Sequence, residues 1–155
     1  MLRRKIEWKP LLFFLVYTLG LAALGAWLGR ADTSGLVKPP LTPPDWLFPV
    51  VWTVLYTAMA VAAYLVFVSN DIDRGEALRL YLLQILVNVL WPLFFFRLEW
   101  RLFAFLWLLL LLALAALTTL RFKPISRTAA ALMLPYMAWL IFAGYLNFAF
   151  YLLNR

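Results

Sequence analysis

Charged residues occur in clusters, and between the clusters lie five long stretches that contain none: Pro10–Gly29, Trp46–Asn70, Leu80–Phe96, Leu102–Leu120 and Thr128–Asn154. A helix needs about 17 to 25 mostly apolar residues to cross the hydrocarbon core of a bilayer, and every stretch meets that length. None alternates with the two-residue period of a barrel strand, and all are too long for one. The expected fold is an all-α membrane protein, a bundle of five transmembrane helices. Composition agrees, because 66% of the 155 residues are hydrophobic and 14% are charged. A soluble domain is about half apolar and a quarter charged, and a chain this short cannot hide the difference in one core.

The whole chain reads as a single domain, with helices expected near 8–29, 46–68, 77–97, 101–121 and 126–152. The links Arg97–Arg101 and Arg121–Arg127 are short enough to be tight turns between antiparallel neighbours. The link around Ser69–Arg79 carries Asp71, Asp73, Arg74, Glu76 and Arg79 and reads as aqueous. The connection 30–45 is the longest and holds Pro39, Pro40, Pro43 and Pro44. Proline fixes φ and favours extended backbone, so this loop is expected to be a stiff cap. The basic start followed by an apolar stretch also fits a signal peptide. Its full spanning length, with Trp27 at the far end, favours a retained first helix.

Five spans place the termini on opposite sides. Arg3, Arg4, Lys5, Lys9, Arg74, Arg79, Arg121, Lys123 and Arg127 fall on the N-terminal side, and Arg30, Lys38, Arg97, Arg101 and Arg155 on the other. The positive-inside rule puts the N-terminus in the cytoplasm and the C-terminus outside. The net charge of +7 fits topology and anionic lipid contact. No soluble segment is long enough for a nucleic-acid-binding fold, so no nucleic acid partner is expected. The absence of an Arg- and Ser-rich transit segment favours a bacterial cytoplasmic membrane.

Histidine and cysteine are both absent. Disulfides, thiolate or imidazole metal sites, and Ser-His-Asp or Cys-His catalysis are thereby excluded. No metal site and no cofactor are expected. The stretches also hold no Asp, Glu, Lys or Arg. Proton-coupled carriers place such groups within the membrane, so an energised transporter is disfavoured.

What the interior can offer is aromatic and amide. Tyr81, Gln84, Asn88 and Trp91 share one face of the third helix by their spacing. Amides in lipid are costly without partners, so that face should point inward. Trp52, Tyr56 and Met59 share a face of the second helix, and Trp139, Ala143 and Asn147 one of the fifth. Of the eight tryptophans, Trp8, Trp27, Trp46 and Trp100 lie near stretch ends, where aromatic belts form. Trp107 faces lipid or a neighbouring helix. Trp52, Trp91 and Trp139 lie deeper, and core packing and ligand lining both stay open for them. Aromatic walls with a few placed polar groups suit a flat apolar molecule. Pro92 and Pro135 are expected to kink their helices and open room beside Trp91 and Trp139. Gly25-x-x-x-Gly29 matches the small-residue dimer motif, but its place at a helix end favours loop geometry. Leu146, Tyr151 and Arg155 satisfy the loose sterol-contact pattern, for which an interfacial Tyr and a terminal Arg are the simpler reading.

The run from Lys38 to Met59 reads KPPLTPPDWLFPVVWTVLYTAM. It strongly resembles the TspO/MBR family, the tryptophan-rich sensory protein and translocator protein or peripheral-type benzodiazepine receptor family. Gln84-x-x-x-Asn88-x-x-Trp91, Pro135-Tyr136-x-x-Trp139, Ala143-x-Tyr145-Leu146-Asn147 and Leu153-Asn154 extend the match over nearly the whole chain. The resemblance implies a five-helix bundle, usually a homodimer, with a pocket beneath the first loop. It implies ligands such as protoporphyrin IX and other porphyrins or tetrapyrroles, benzodiazepine- and isoquinoline-type drugs, and lipid or sterol. By motif position the pocket is lined by Trp52, Asn88, Trp91, Trp139 and Ala143; spacing adds Tyr56, Gln84 and Asn147, and Lys38, Pro39, Pro43 and Pro44 form the lid. The chain departs from the pattern where a Trp-Tyr pair is usual, at Asp32 and Thr33, and at Leu41 in place of a Trp. The lid thus loses stacking surface.

The favoured function is an integral membrane receptor or binding protein for porphyrins and similar flat ligands, with a sensory, regulatory or transport role. One alternative is light-dependent porphyrin degradation with Trp52 and Trp139 as electron partners. The other is a structural or regulatory membrane partner whose tryptophans are plain core. An enzyme is the less favoured class.

Overall fold

The computed structural model describes residues 5–155. Arg3 and Arg4, counted above in the charge asymmetry, lie outside them. The chain forms five long helices: α1 (Trp8–Leu28), α2 (Leu47–Phe67), α3 (Arg74–Pro92), α4 (Arg101–Ile125) and α5 (Arg127–Leu153). All five are long and apolar enough to cross a membrane, α3 together with the π turn that follows it. The all-α, five-helix architecture read from the charge-free stretches is the one observed. α1 packs on α2 and α3, α4 on α3 and α5, and α5 closes the ring against α2.

Local sequence explains the helix ends. Pro10 and Pro49 fall in the first turns of α1 and α2. There the missing N–H costs no intrahelical bond. α3 starts at Arg74, so Glu76 and Arg79 belong to its first turns, where both are exposed. Its α-helical pattern ends at Pro92, and Leu93–Arg97 continue as a π turn. The chain then reverses within three residues, with Glu99 at φ 56. The expected turn Arg121–Arg127 is also revised. α4 continues to Ile125, and Ser126 alone joins it to α5. Ser126 is extended at φ −152, and its hydroxyl accepts from the Ala129 N–H, capping α5. Pro135 is carried inside the continuous α5.

At the end of the bundle holding the α4–α5 joint, the helices meet closely. Ala60, Ala62, Ala63, Ala77, Ala115 and Ala129 are fully buried and let the backbones approach. Tyr81 fills the centre. Its hydroxyl shares a 2.6 Å hydrogen bond with Thr18 on α1, and its ring stacks on Phe122 of α4. Glu76 on α3 and Arg121 on α4 form a 2.9 Å ion pair at the surface.

Gly29 caps the C-terminal end of α1, as its place at a helix end suggested, and Gly25 lies in the last turn of that helix. A Cβ at Gly25 would stand 3.2 Å from the Val89 carbonyl oxygen, and one at Gly29 would stand 2.5 Å from the Pro92 Cβ. The pair lets α1 lie directly against α3 of the same chain. Trp107 is also settled as a neighbour contact, since its indole N–H donates to the Val87 carbonyl of α3 at 2.7 Å. Trp8, Trp27, Trp46 and Trp100 are exposed, as belt positions require.

Candidate functional site

The other end of the bundle is hollow. A cavity of about 620 Å³ opens beneath the loop 30–45, between α1, α2, α3 and α5. That volume lies within the range of small-molecule sites, about 300 to 1,000 Å³. α4 contributes no wall residue. Trp52, Tyr56, Asn88, Trp91, Trp139, Ala143 and Asn147, drawn from three helices, all border this one space.

The tryptophans form a connected aromatic wall. Trp52 stacks on Tyr56 at 5.4 Å, one turn further along α2, and meets Trp139 edge-on at 6.3 Å. Trp139 in turn meets the edge of Phe48 at 6.0 Å. Across the cavity Trp91 stacks on Phe95 of the π turn at 5.1 Å. The wall is built because helical spacing puts Trp52 and Tyr56, and Trp139 and Ala143, on the same sides of α2 and α5. Ala143 supplies the empty volume beside Trp139.

The polar groups are tied down. The Trp91 indole N–H donates to Asn147 Oδ1 at 3.0 Å, and Asn147 Nδ2 donates to the Arg101 carbonyl at 2.8 Å. Asn147 therefore acts as a strut between α3, α5 and the start of α4, with its amide already engaged on both sides. Asn88 Nδ2 donates to the Tyr136 hydroxyl at 2.9 Å, and that hydroxyl donates to Gln84 Oε1 at 2.9 Å. Gln84 does not border the cavity. It is fully buried one turn beneath Asn88, because its partners Tyr136 and Met59 hold it within the packed interior. Trp139 Nε1 is buried and has no hydrogen-bond partner among the described residues.

The loop closes the top. Lys38 borders the cavity, whereas Pro39, Pro43 and Pro44 do not. The prolines shape the backbone behind the mouth instead of facing it. Lys38 Nζ pairs with Asp45 at 2.8 Å across the loop. Two contacts from α5 hold the loop down. The Val37 N–H donates to Asn154 Oδ1 at 2.8 Å while Asn154 Nδ2 donates back to the Val37 carbonyl at 3.0 Å. The Tyr145 hydroxyl donates to the Pro40 carbonyl at 2.9 Å. Of the departures from the family pattern, Thr33 borders the cavity. Asp32 turns to its own chain and accepts from the Ser34 N–H, which holds its carboxyl below the usual range. Leu41 is 78% exposed at φ 66 and stands off the cavity. The stacking surface lost at Leu41 is therefore not part of the present wall.

Several wall residues are not singled out by helical spacing, although Phe48 falls within the matching run Lys38–Met59. Ala22 and Ala26 of α1, Phe48 of α2, Phe95 and Phe96 of the π turn and Phe150 of α5 all border the cavity. Small and aromatic residues in an apolar stretch look alike whether they face lipid or a cavity. The spacing of Ala22 and Ala26 on α1, with Gly29 just after its end, is the one pattern that would have marked this side. Tyr145 and Asn154 were legible as motif residues, but not as the anchors of the loop.

The TspO/MBR family pattern matches residues 12–152. The chain is 38% identical over 123 residues to the tryptophan-rich protein TspO of Chlorobaculum tepidum, covering 77% of each chain. It is 36% identical over 152 residues to the translocator protein of Bos taurus, covering 91% of this chain and 88% of that one. It is 33% identical over 150 residues to the tryptophan-rich sensory protein of Cereibacter sphaeroides, covering 96% and 94%. With its five membrane-spanning helices and a match along most of its length, the chain is an integral membrane protein that belongs to the TspO/MBR family.

Proposed function

We propose that this protein is a membrane receptor for a flat, largely apolar ring system, of which a porphyrin such as protoporphyrin IX is the best-fitting class. The observation that carries this reading is the 620 Å³ cavity with tryptophans on opposite walls, an amide at its base and a lysine at its mouth. Aromatic walls stack on a flat ring and exclude water from it. Lys38 stands at the mouth paired with Asp45, and an anionic substituent of the ligand would take the place of that partner. The porphyrin, drug and sterol ligands implied by the family resemblance share the flat apolar shape that this cavity admits.

A titration with protoporphyrin IX in the dark, read by tryptophan quenching, tests this proposal. Saturable micromolar binding corresponds to about 8 kcal/mol. It should weaken at least tenfold when Asn88→Leu and Trp139→Leu are combined. Unsaturable quenching, equal in both proteins, reflects partition into detergent and would sink the assignment.

A second reading is favoured by the unbroken contact from Trp139 to Trp52 to Tyr56. Such a chain can pass an electron to an excited porphyrin, with oxygen as the final oxidant. It predicts ring-opened products only under light and oxygen. Products that persist in Trp52→Phe with Trp139→Phe would count against any role of the protein.

We place the protein in a bacterial cytoplasmic membrane with its N-terminus inside. Basic residues are more numerous on the N-terminal side among the described residues as well. Labelling of cysteines introduced near each end of the chain, in intact cells, decides the orientation. A homodimer is implied by the resemblance, and cross-linking in membranes should give a band at twice the mass of the chain.

A further inference from the structure

The hydrogen bonds beneath the cavity run in one direction, and the direction is set by a sulfur atom. Gln84 Nε2 lies 3.8 Å from the Met59 sulfur. A thioether accepts weakly and has no hydrogen to give, so Gln84 must turn its NH2 toward it. The other side of that amide, Oε1, then faces Tyr136, and the tyrosine hydroxyl must donate to it. Having given its only hydrogen to Gln84, the hydroxyl can only accept from Asn88, which must present Nδ2. Asn88 is left with Oδ1 for the cavity it borders. Among the described residues nothing donates to that oxygen. The Asn147 amide, by contrast, is engaged on both sides.

We infer that the relay Met59–Gln84–Tyr136–Asn88 makes the base of the cavity an acceptor, and that the site therefore selects flat ligands carrying an N–H or O–H donor on their leading edge. This rests on the reading of the cavity as a ligand site and adds the chemistry that the ligand must bring. A ligand without a donor strips water from Asn88 Oδ1 and returns nothing, whereas a donor restores the bond. A ligand with an ionised carboxylate leading is rejected. A porphyrin meets the requirement with a protonated carboxylic acid on its rim, because its inner N–H groups point to the centre of its ring. Gln84 and Tyr136 are positioning residues here, since neither borders the cavity.

Three tricyclic probes of nearly one shape test the inference: carbazole with an N–H, dibenzofuran with an ether oxygen, and fluorene with neither. Each is titrated in competition with protoporphyrin IX, in one detergent, against the native protein and its variants. Comparison across proteins cancels partition into the micelle. It also cancels the indole groups of Trp52 and Trp139 and the Tyr56 hydroxyl, which are the same throughout. The native protein should bind carbazole about five- to tenfold more tightly than fluorene, the value of one net hydrogen bond. In Asn88→Leu that ratio should fall to about one. In Gln84→Leu the Tyr136 hydroxyl loses its acceptor and turns to Asn88 Oδ1, so the amide reverses and shows Nδ2 to the cavity. The carbazole preference should then disappear, and dibenzofuran should gain on fluorene relative to the native protein. Tyr136→Phe, a smaller change, frees the Asn88 amide to turn either way, so carbazole should keep part of its preference while dibenzofuran gains on fluorene, and this variant serves if Gln84→Leu does not fold. Saturable binding of all three probes at equal affinity would overturn the directional inference and leave the cavity as a site. Failure of all three probes, and of protoporphyrin IX, to bind saturably would overturn the site itself and the inference with it.

Discussion

The two halves of this bundle use the same helices for opposite ends. Around Tyr81 the helices meet through alanines, and the aromatic rings of Phe14, Tyr81 and Phe122 fill the space between them. Around Trp52, Trp91 and Trp139 the rings stand on the rim of an empty volume. Aromatic content does not distinguish the halves. What differs is whether any side of a ring is left open: Tyr81 and Phe122 are enclosed on every side, whereas Trp52, Trp91 and Trp139 have neighbouring rings and also border the empty volume. Large side chains stabilise a bundle when something fills the space before them, and line a site when nothing does.

The sharpest way to break this comparison is to remove one large ring from each half. Tyr81→Ala should cost about 3 kcal/mol or more, as large-to-small changes in packed interiors do, and should leave ligand affinity per folded molecule unchanged. Trp139→Ala should do the reverse, with a small shift in Tm and a tenfold or greater loss of porphyrin affinity. Paired melting curves and titrations check both, and equal loss of stability in the two variants would erase the distinction.

Gly29→Ala probes the join between the halves. The added Cβ would come within 2.5 Å of Pro92, so α1 must move away from α3. Overpacking of this kind costs about 1 to 3 kcal/mol. Because Gly29 and Pro92 also border the cavity, affinity should fall together with Tm. A smaller effect is expected of Trp91→Phe, which keeps the ring and loses the bond to Asn147, about 1 kcal/mol of stability. The loop should show the smallest change in stability. Asn154→Ala removes both bonds to Val37, and should speed proteolysis of the loop and ligand release with little change in Tm. Limited proteolysis and stopped-flow dissociation measure these rates.

Much of this was legible in the sequence, for reasons that also mark where legibility ends. Charge-free lengths report helices because the bilayer sets a minimum span, and the five stretches all became helices. Helical spacing placed Trp52 with Tyr56, Asn88 with Trp91, and Trp139 with Ala143 and Asn147, and the cavity brings these faces together. Spacing does not say which residue on a face stands nearer the empty space. Gln84 shares its face with Asn88, yet Tyr136 and Met59, on two other helices, draw it into the interior. The continuation of α4 through Arg121 and Lys123 was hidden because charge was read as the end of a helix, whereas it marks only the end of the apolar span. Gly29 does sit at a helix end, but the close approach of Gly25 and Gly29 to Val89 and Pro92 was hidden because those partners are distant in sequence.

The absence of cysteine from the chain gives the central claim a direct test. Single thiols are introduced by Ala143→Cys at the cavity wall and by Thr118→Cys, close to the size of the native residue, in the packed half. Labelling by a small thiol reagent is followed by mass spectrometry with and without protoporphyrin IX in the dark. The account predicts that the Ala143→Cys protein labels readily and is protected by the porphyrin, while the Thr118→Cys protein stays unlabelled in both conditions. Equal labelling of the two, or labelling at Ala143→Cys that saturating porphyrin does not slow, would contradict it.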